Sequence, residues 1–321
     1  MTNVNQYGWK ALVGSAVGYA MDGFDLLILG FMLSAISADL NLTPAQSGSL
    51  VTWTLIGAVV GGIVFGALSD RYGRVRVLTW TIVLFAVFTG LCAIAQGYWD
   101  LLIYRTIAGI GLGGEFGIGM ALAIEAWPAK HRAKAASYVA LGWQVGVLAA
   151  ALLTPVLLPH IGWRGMFVVG IFPAFVAWYL RTRLHEPEIF SRKQTALSTQ
   201  KTSKLESFKL LVKDKATTKV SLGVVVLTSV QNFGYYGIMI WMPNFLSKQL
   251  GFSLTKSGLW TAVTVCGMMA GIWIFGRLAD RIGRKPSFLL FQLGAVISII
   301  TYSQLTDPTA MLVAGAFLGM F

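Results

Sequence analysis

One charged nine-residue pattern occurs twice in this chain, each time between two long apolar stretches. The first copy runs from Gly66 to Arg74 and the second from Gly276 to Arg284, and both read Gly-x-Leu-x-Asp-Arg-x-Gly-Arg. A charged turn that recurs at matching places in two apolar halves is typical of membrane proteins built by internal duplication. The repeat therefore predicts two related halves made of hydrophobic helices.

The composition also indicates a membrane protein. Hydrophobic residues make up 56% of the chain and charged residues 12%, whereas about 25% of a soluble domain is charged. A helix that spans a bilayer needs about 20 mostly apolar residues. The stretches that meet this need are Ala11–Ile36, Gly48–Leu68, Val77–Ala95, Leu101–Ala126, Ala135–Leu157, Gly165–Leu180, Val220–Leu246, Ser257–Phe275 and Ser287–Tyr302, with a shorter one at Ala310–Phe321.

The 25 lysines and arginines are unevenly distributed between the loops. If the N-terminus is cytoplasmic, most of them face the cytoplasm, as the positive-inside rule requires. The formal net charge of +12 then reflects topology and contact with anionic lipid headgroups, not nucleic-acid binding. We expect a multi-pass protein of a bacterial inner membrane with its N-terminus in the cytoplasm.

One long polar stretch divides the chain into two parts. Residues 182–218 predict a cytoplasmic linker with short amphipathic helical pieces such as Leu205–Val212. Residues 1–181 are then an N-terminal six-helix bundle, and residues 219–321 are an incomplete C-terminal bundle. Because six spans are expected after the linker, we predict that about two and a half spans are missing, through truncation.

Several motifs in this sequence resemble those of the major facilitator superfamily. The doubled turn falls where that family carries it, and Arg105–Gly111 matches its Arg-x-x-x-Gly-x-Gly pattern. Asp22–Asp25, Gly113–Gly117 and Glu125–Pro128 are similar to its proton-coupled organic-anion symporters, which import aromatic acids, sialic acid or nicotinate. The resemblance implies an all-α integral membrane fold with two six-helix bundles, of which about nine to ten transmembrane helices are present here.

The repeated turn supplies the predicted gating residues. The resemblance implies that its charges form a clasp between helices on the cytoplasmic face, while Gly66 and Gly73 allow close approach and a tight bend. Glu125, near the cytoplasmic end of span four, is expected to make a helix-end or gate contact. The alternative is a solvated turn that only sets orientation. The predicted gating set is Gly66, Asp70, Arg71, Gly73, Arg74, Asp280, Arg281 and Arg284.

Three carboxylates inside apolar spans are candidates for proton coupling. Asp22 and Asp25 stand at i and i+3 and share one face of the first span. At 1.5 Å per residue, Asp22 and Glu115 each lie about 16 Å from the cytoplasmic end of their spans, near the membrane centre. A carboxylate at that depth is normally neutral, paired or beside a wet cavity. These acids are therefore candidates to bind and release protons, and structural helix contacts are the alternative.

Arg105 and a row of glycines also lie in span four. Arg105 is roughly 31 Å from the cytoplasmic end of that span, close to the outer surface. We expect an interfacial arginine that pairs with Asp100 or with another helix, in preference to a part in proton transfer. Gly109, Gly113 and Gly117 recur at i+4 and predict close packing against a neighbouring helix.

Polar and aromatic residues at mid-depth are candidates for substrate binding. Rings with hydroxyl or amide groups nearby suit a small ring-bearing carboxylate, although we find no Lys or Arg at mid-depth to neutralise it. Core packing and interfacial aromatic belts are the alternatives for each ring, including Trp143. The predicted binding residues are Gln144, Gln231, Asn232, Tyr235 and Tyr236.

These observations predict a secondary active transporter that imports a small organic anion with protons by alternating access. The expected partners are the anion, protons and the lipid bilayer, and the expected oligomeric state is a monomer. Neither a cofactor nor a metal ion is expected, and no catalytic constellation indicates an enzyme. Transport of a sugar or sialic acid is one alternative, and a non-transporting membrane sensor or scaffold is another.

Overall fold

The chain folds into long helices. The computed structural model describes residues 6–128, 132–182, 213–251, 253–305 and 307–321, and their regular secondary structure is helical. In chain order these helices are α1 (Gln6–Asp39), α2 (Pro44–Tyr72), α3 (Arg74–Cys92), α4 (Tyr98–Glu125), α5 (Arg132–Thr182), α6 (Lys215–Leu250), α7 (Leu254–Ile282), α8 (Arg284–Ser303) and α9 (Pro308–Met320). Eight of them are long and apolar enough to cross a membrane, and α9 is shorter. The predicted all-α, multi-span fold is confirmed.

Helix α5 contains spans five and six. They are predicted as separate helices, and the 51-residue run consists of two helices that meet without a loop at Gly162, where φ of 64° and ψ of 178° mark a kink. A straight helix of that length would extend about 77 Å, more than twice the hydrocarbon thickness, so a change of direction is needed. Glycine allows the positive φ there. The arm after Gly162 packs on α3, where Ile171 meets Gly90.

The two copies of the repeated pattern form the same backbone turn. Gly73 joins α2 to α3 with φ 106° and ψ 149°, and Gly283 joins α7 to α8 with φ 91° and ψ 159°. Residues with a Cβ rarely adopt these φ values, so both turns favour glycine. The close approach predicted at Gly66 is wrong in this conformation, because a Cβ there would meet no atom within 4 Å.

Helices α2 and α4 touch backbone to backbone through small residues. A Cβ on Gly109 would lie 2.1 Å from the carbonyl oxygen of Thr54, and one on Gly113 would lie 1.7 Å from that of Ala58. Lipid is as apolar as the side chains, so helices in a bilayer associate largely through such close contacts. The predicted glycine stripe is confirmed at these two positions but not at Gly117, where a Cβ would meet open space.

Helix α1 is held against α5 in the same way. Gly142 faces the carbonyl oxygen of Ala16, and Gly146 faces that of Ala20, at 2.3 and 1.8 Å from the ideal Cβ positions. The helix is buried along most of its length. Its side chains therefore have fixed directions relative to α4 and α5.

We refer to α1–α5 as the first half of the molecule and to α6–α9 as the second half. They are in contact through α1 with α6 and through α5 with α7. We call the end that carries the two repeated turns the motif end, and the opposite end the far end. Gly30 lies against Ile240, and Gly258 lies against Ala151, both in the part of the molecule towards the far end. These contacts bring the halves together at the far end.

The linker prediction falls mostly outside the described residues. These exclude residues 183–212, and with them Leu205–Val212. Helix α6 begins at Lys215, slightly before the predicted boundary at residue 219, and its N-cap Asp214 accepts a hydrogen bond from the Thr217 backbone N–H. The division into domains stays a prediction.

Replacing Gly113 with alanine should destabilise the protein, because the added Cβ would force α2 and α4 apart. We expect the midpoint of thermal unfolding in detergent to fall by roughly 3–10 °C. Gly117→Ala, one turn along the same helix, is the matched control and should leave the midpoint unchanged or slightly raised, since alanine favours helix. Equal midpoints for the two variants would contradict the packing described here.

Candidate functional site

Three buried carboxylates lie in the first half of the molecule. Asp22 and Asp25 of α1 are each 1% exposed, and Glu115 of α4 is 2% exposed. Because α1 begins at Gln6 and not at Ala11, Asp22 lies about 24 Å from the start of the helix, at its centre. A carboxylate at that depth is costly unless its surroundings compensate for the lost water, so these surroundings decide its role.

Asp25 forms a buried ion pair with Arg105 of α4. The Nη1 and Nη2 atoms of Arg105 donate to the two carboxylate oxygens over 3.0 and 2.8 Å, and neither side chain is more than 1% exposed. The guanidinium also lies 5.6 Å from the centre of the Phe167 ring. The predicted pairing of Arg105 with another helix is confirmed, but its predicted interfacial position is wrong.

The ion pair changes the expectation for Asp25. A bidentate contact with a guanidinium already compensates the carboxylate charge. A proton arriving at Asp25 would therefore have to displace Arg105, so this conformation does not favour Asp25 as the proton carrier. The sequence did not distinguish Asp25 from Asp22, because both stand on one face of α1.

Glu115 lies in the helix that packs against α1. Gly119 of α4 lies against Ser15 of α1, with 3.7 Å from its ideal Cβ position to Ser15 Oγ. The helices are antiparallel, and Asp22 and Glu115 both stand between this contact and the Asp25–Arg105 pair along their helices. The two buried acids are therefore at similar depth in neighbouring helices.

Aromatic rings from four helices meet at mid-depth. Tyr19 of α1 packs against Phe116 of α4 and Trp143 of α5, with ring centroids 4.7 and 5.0 Å apart. Trp143 lies 6.4 Å from Tyr235 of α6, and Tyr235 lies 5.3 Å from Tyr236. We call these five residues the aromatic cluster. It contains residues from both halves of the molecule.

The cluster is connected to Asp22 and crosses the boundary between the halves. Asp22 interacts electrostatically with Tyr19 and Tyr236. The indole Nε1 of Trp143, in the first half, donates to the Tyr235 hydroxyl, in the second half, over 2.5 Å. Phe116 is 47% exposed although it packs on Tyr19. Two backbone contacts between the halves, Gly30 with Ile240 and Gly258 with Ala151, lie further towards the far end than the cluster.

Three of the predicted binding residues lie at this position. Tyr235 and Tyr236 belong to the aromatic cluster. Gln144 follows Trp143 in α5 and is 8% exposed, and its Oε1 accepts no hydrogen bond from the described residues. These groups can offer hydrogen-bond donors and an acceptor to a ligand between the halves.

The other two predicted binding residues are further out. Gln231 and Asn232 lie one helical turn before the two tyrosines and are exposed. The Asn232 side chain donates to the carbonyl oxygen of Thr228 in its own helix over 2.9 Å. In this conformation they are more exposed than Tyr235 and Tyr236 of the cluster.

At the motif end, Arg74 joins the ends of three helices. Its Nη1 lies 3.0 Å from Asp70 Oδ1 at the end of α2, and its Nη2 lies 3.3 Å from Glu125 Oε1 at the end of α4. Nη1 also donates to Ser69 Oγ over 2.9 Å. Arg74 is itself the first residue of α3, so the turn clamps α2, α3 and α4 together. The helix-end contact predicted for Glu125 is confirmed.

The remaining predicted gating residues make fewer contacts that can be described. The Arg71 guanidinium lies 5.3 Å from the ring of the adjacent Tyr72, and Arg281 is exposed. The side chains of Asp280 and Arg284 lie outside the described residues. A charged clasp in the second copy stays a prediction.

The sequence matches the family model of the Major Facilitator Superfamily over residues 15–321. The chain belongs to this family. A putative metabolite transport protein of Haemophilus influenzae is 89% identical over 324 residues, which is 100% of this chain and 80% of the relative. The cis,cis-muconate transport protein of Acinetobacter baylyi is 30% identical over 99% of this chain and 78% of its own length.

A solved structure gives independent support for the fold of this major facilitator protein. The crystal structure of a D-xylose–proton symporter matches 98% of the chain and 80% of the symporter with a TM-score of 0.77, at 22% identity. That similarity concerns the fold alone. The family and its relatives are membrane transporters, not enzymes, which confirms the predicted family and class of protein.

Tyr19 and Phe116 are the members of the aromatic cluster that sequence reasoning missed. The spans contain many aromatic residues, and a ring gives no signal of whether it faces lipid, core or cavity. One signal was available for Tyr19, which stands three residues before Asp22 and so shares its helix face. Phe116 had no comparable signal, because its role depends on where α1 packs.

Removing one partner of the Asp25–Arg105 pair should destabilise this transporter more than removing both charges. Asp25→Asn or Arg105→Gln alone would leave a buried charge without its counter-ion, which typically costs about 3–5 kcal/mol. The double variant should recover at least half of the lost thermal midpoint in detergent, since no charge of the pair remains buried. A double variant less stable than both single variants would contradict this view of the pair.

Proposed function

We propose that this transporter carries a small organic anion together with protons, and that the anion binds at the aromatic cluster. The observation that carries the proposal is the meeting of rings from both halves at mid-depth, near the buried Asp22. A substrate there would contact both halves. Alternating access by two bundles that rock around one central site requires such contacts.

Asp22 is the first candidate to carry the coupled proton, and Glu115 is the second. Both are buried, in α1 and in α4, and Asp22 also interacts with two tyrosines of the cluster. Acidic residues inside membrane-spanning helices are costly, and proton relays are one of the functions that such residues commonly serve. Asp25 would join them only in a conformation that separates it from Arg105.

The chemistry of the cluster suits a planar carboxylate, aromatic or otherwise conjugated. The faces of Tyr19 and Phe116 offer stacking contacts, and the hydroxyls of Tyr235 and Tyr236 and the amide of Gln144 can donate hydrogen bonds to a carboxylate. The relative named as a cis,cis-muconate transport protein supports an acid as cargo. Gln231 and Asn232 are proposed to line the approach to the cluster.

The basic motif end is proposed to face the cytoplasm of a bacterial cell, across its inner membrane. The distribution of lysine and arginine supports that orientation, with the N-terminus inside. Arg74, with Asp70 and Glu125, would then keep the cytoplasmic end of the first half rigid while the halves separate. A monomer contains the proposed site, since both halves belong to one chain.

Uptake into proteoliposomes tests the proposed cargo. With an inward proton gradient, we expect accumulation of labelled cis,cis-muconate or benzoate and not of D-xylose or sialic acid. Abolishing the gradient should abolish accumulation. Uptake of D-xylose but of neither muconate nor benzoate would overturn the proposed cargo. Accumulation that does not depend on the proton gradient would overturn the proposed coupling.

Asp22→Asn should reduce gradient-driven accumulation to background while labelled and unlabelled substrate still exchange, because asparagine is similar in size but carries no proton. Asp214→Asn is the matched control, since asparagine caps a helix as well as aspartate does. It should accumulate substrate like the unchanged protein. Accumulation by Asp22→Asn at the control rate would contradict the assignment.

A further inference from the structure

We infer that Trp143 is a positioning residue for substrate, whose indole N–H fixes the Tyr235 hydroxyl so that the tyrosine proton points to a substrate carboxylate. This inference rests on the proposed function, because it concerns the same site. It adds a way in which a neutral hydroxyl can bind an anion, and the two residues that provide it, Trp143 and Tyr235, belong to different halves.

The indole is held firmly in place. Trp143 is 8% exposed and its ring packs on Tyr19. It also lies against the backbone of the same helix α1, where an ideal Cβ on Gly23 would be 3.2 Å from the ring atom Cδ2 and 2.6 Å from the Trp143 carbonyl oxygen. A glycine at position 23 therefore permits this close approach. The ring has little freedom to turn its N–H elsewhere.

The bond to Tyr235 has a defined direction. An indole N–H is only a donor, so the hydroxyl oxygen of Tyr235 must accept the 2.5 Å hydrogen bond. A tyrosine hydroxyl has one proton and two lone pairs, and accepting from Trp143 turns its proton away from the indole. Trp143 is the hydrogen-bond partner that the described residues give to this hydroxyl. Its proton is left for a ligand.

A carboxylate is the ligand group that fits best. A charged carboxylate accepts hydrogen bonds and donates none, and bonds to it are stronger than bonds between neutral groups. A hydroxyl that already accepts a bond is also a better donor, because successive hydrogen bonds polarise one another. The Trp143–Tyr235 pair should therefore favour an acid over its uncharged amide.

A double-mutant cycle on the full chain tests the inference, with initial uptake of labelled cis,cis-muconate and of benzoate as readouts. Trp143→Phe keeps an aromatic ring but removes the N–H, and Tyr235→Phe removes the hydroxyl. Each change should raise the half-saturating concentration about fivefold to tenfold and leave the maximal rate within about twofold. In the Tyr235→Phe background, Trp143→Phe should add less than about twofold, since its effect acts through the hydroxyl.

Trp163→Phe is the matched control. Its indole also donates a hydrogen bond, over 3.1 Å to Asp39 Oδ2 near the far end, and it is 5% exposed. This change should leave the half-saturating concentration unaltered. Benzamide should inhibit uptake only weakly in the unchanged protein. In Trp143→Phe, the inhibitory concentration of benzamide should change less than the half-saturating concentration of benzoate. If Trp143→Phe fails to fold, Trp143→His is measured in its place. Because histidine keeps a ring N–H, the half-saturating concentration of this variant should be close to that of the unchanged protein.

The outcomes separate this inference from the function on which it rests. Three outcomes would overturn the role of Trp143 and leave the proposed function standing. They are independent effects of the two changes, whose fold-changes multiply in the double variant; a loss of maximal rate without a change in the half-saturating concentration; and no effect of Trp143→Phe. An unchanged half-saturation in Tyr235→Phe would overturn both the inference and the proposed binding site. Uptake of neither acid by the unchanged protein would overturn the proposed function itself.

Discussion

The direct backbone contact of α1 with α5 and of α4 with α2 is the interaction on which the rest of this transporter depends. Inside a bilayer no hydrophobic effect drives helices together, so glycine faces that allow close approach decide which helices are neighbours. Gly142 and Gly146 bring α5 onto α1, and Gly113 brings α4 onto α2. With these helices fixed, α1 presents Asp25 to Arg105 on α4 and Tyr19 to the ring of Trp143 on α5. The candidate site follows from that packing.

The buried charges of the site lie in one half of the molecule, whereas its aromatic rings come from both halves. The three buried carboxylates and the arginine that pairs with one of them belong to α1 and α4 in the first half. The second half contributes Tyr235 and Tyr236. In the proposed mechanism, proton binding at Asp22 and substrate binding at the rings would influence each other through Tyr19 and Tyr236, which interact with that acid. A movement between the halves would alter both.

The sequence predicted those features that depend on local composition and spacing. The apolar spans, the repeated turn with its glycines and the similar depth of Asp22 and Glu115 follow from runs, repeats and position along a helix. Depth along a helix does not specify which way a side chain faces. Arg105 was therefore expected at the membrane–water interface, whereas it is buried against Asp25. The continuation of α5 around Gly162, and the inclusion of Phe116 in the cluster, depend on how helices pack, which no local pattern encodes.

We propose that the site lies between two halves that are closed at the far end and open at the motif end. It is tested by cysteine accessibility at Phe116, which is 47% exposed beside Tyr19. In a chain carrying Phe116→Cys and Cys266→Ser, with the buried Cys92 retained, a membrane-impermeant maleimide is applied from each side of oriented vesicles. We expect labelling from the side of the motif end, reduced by bound substrate. Labelling from the far-end side alone would contradict it.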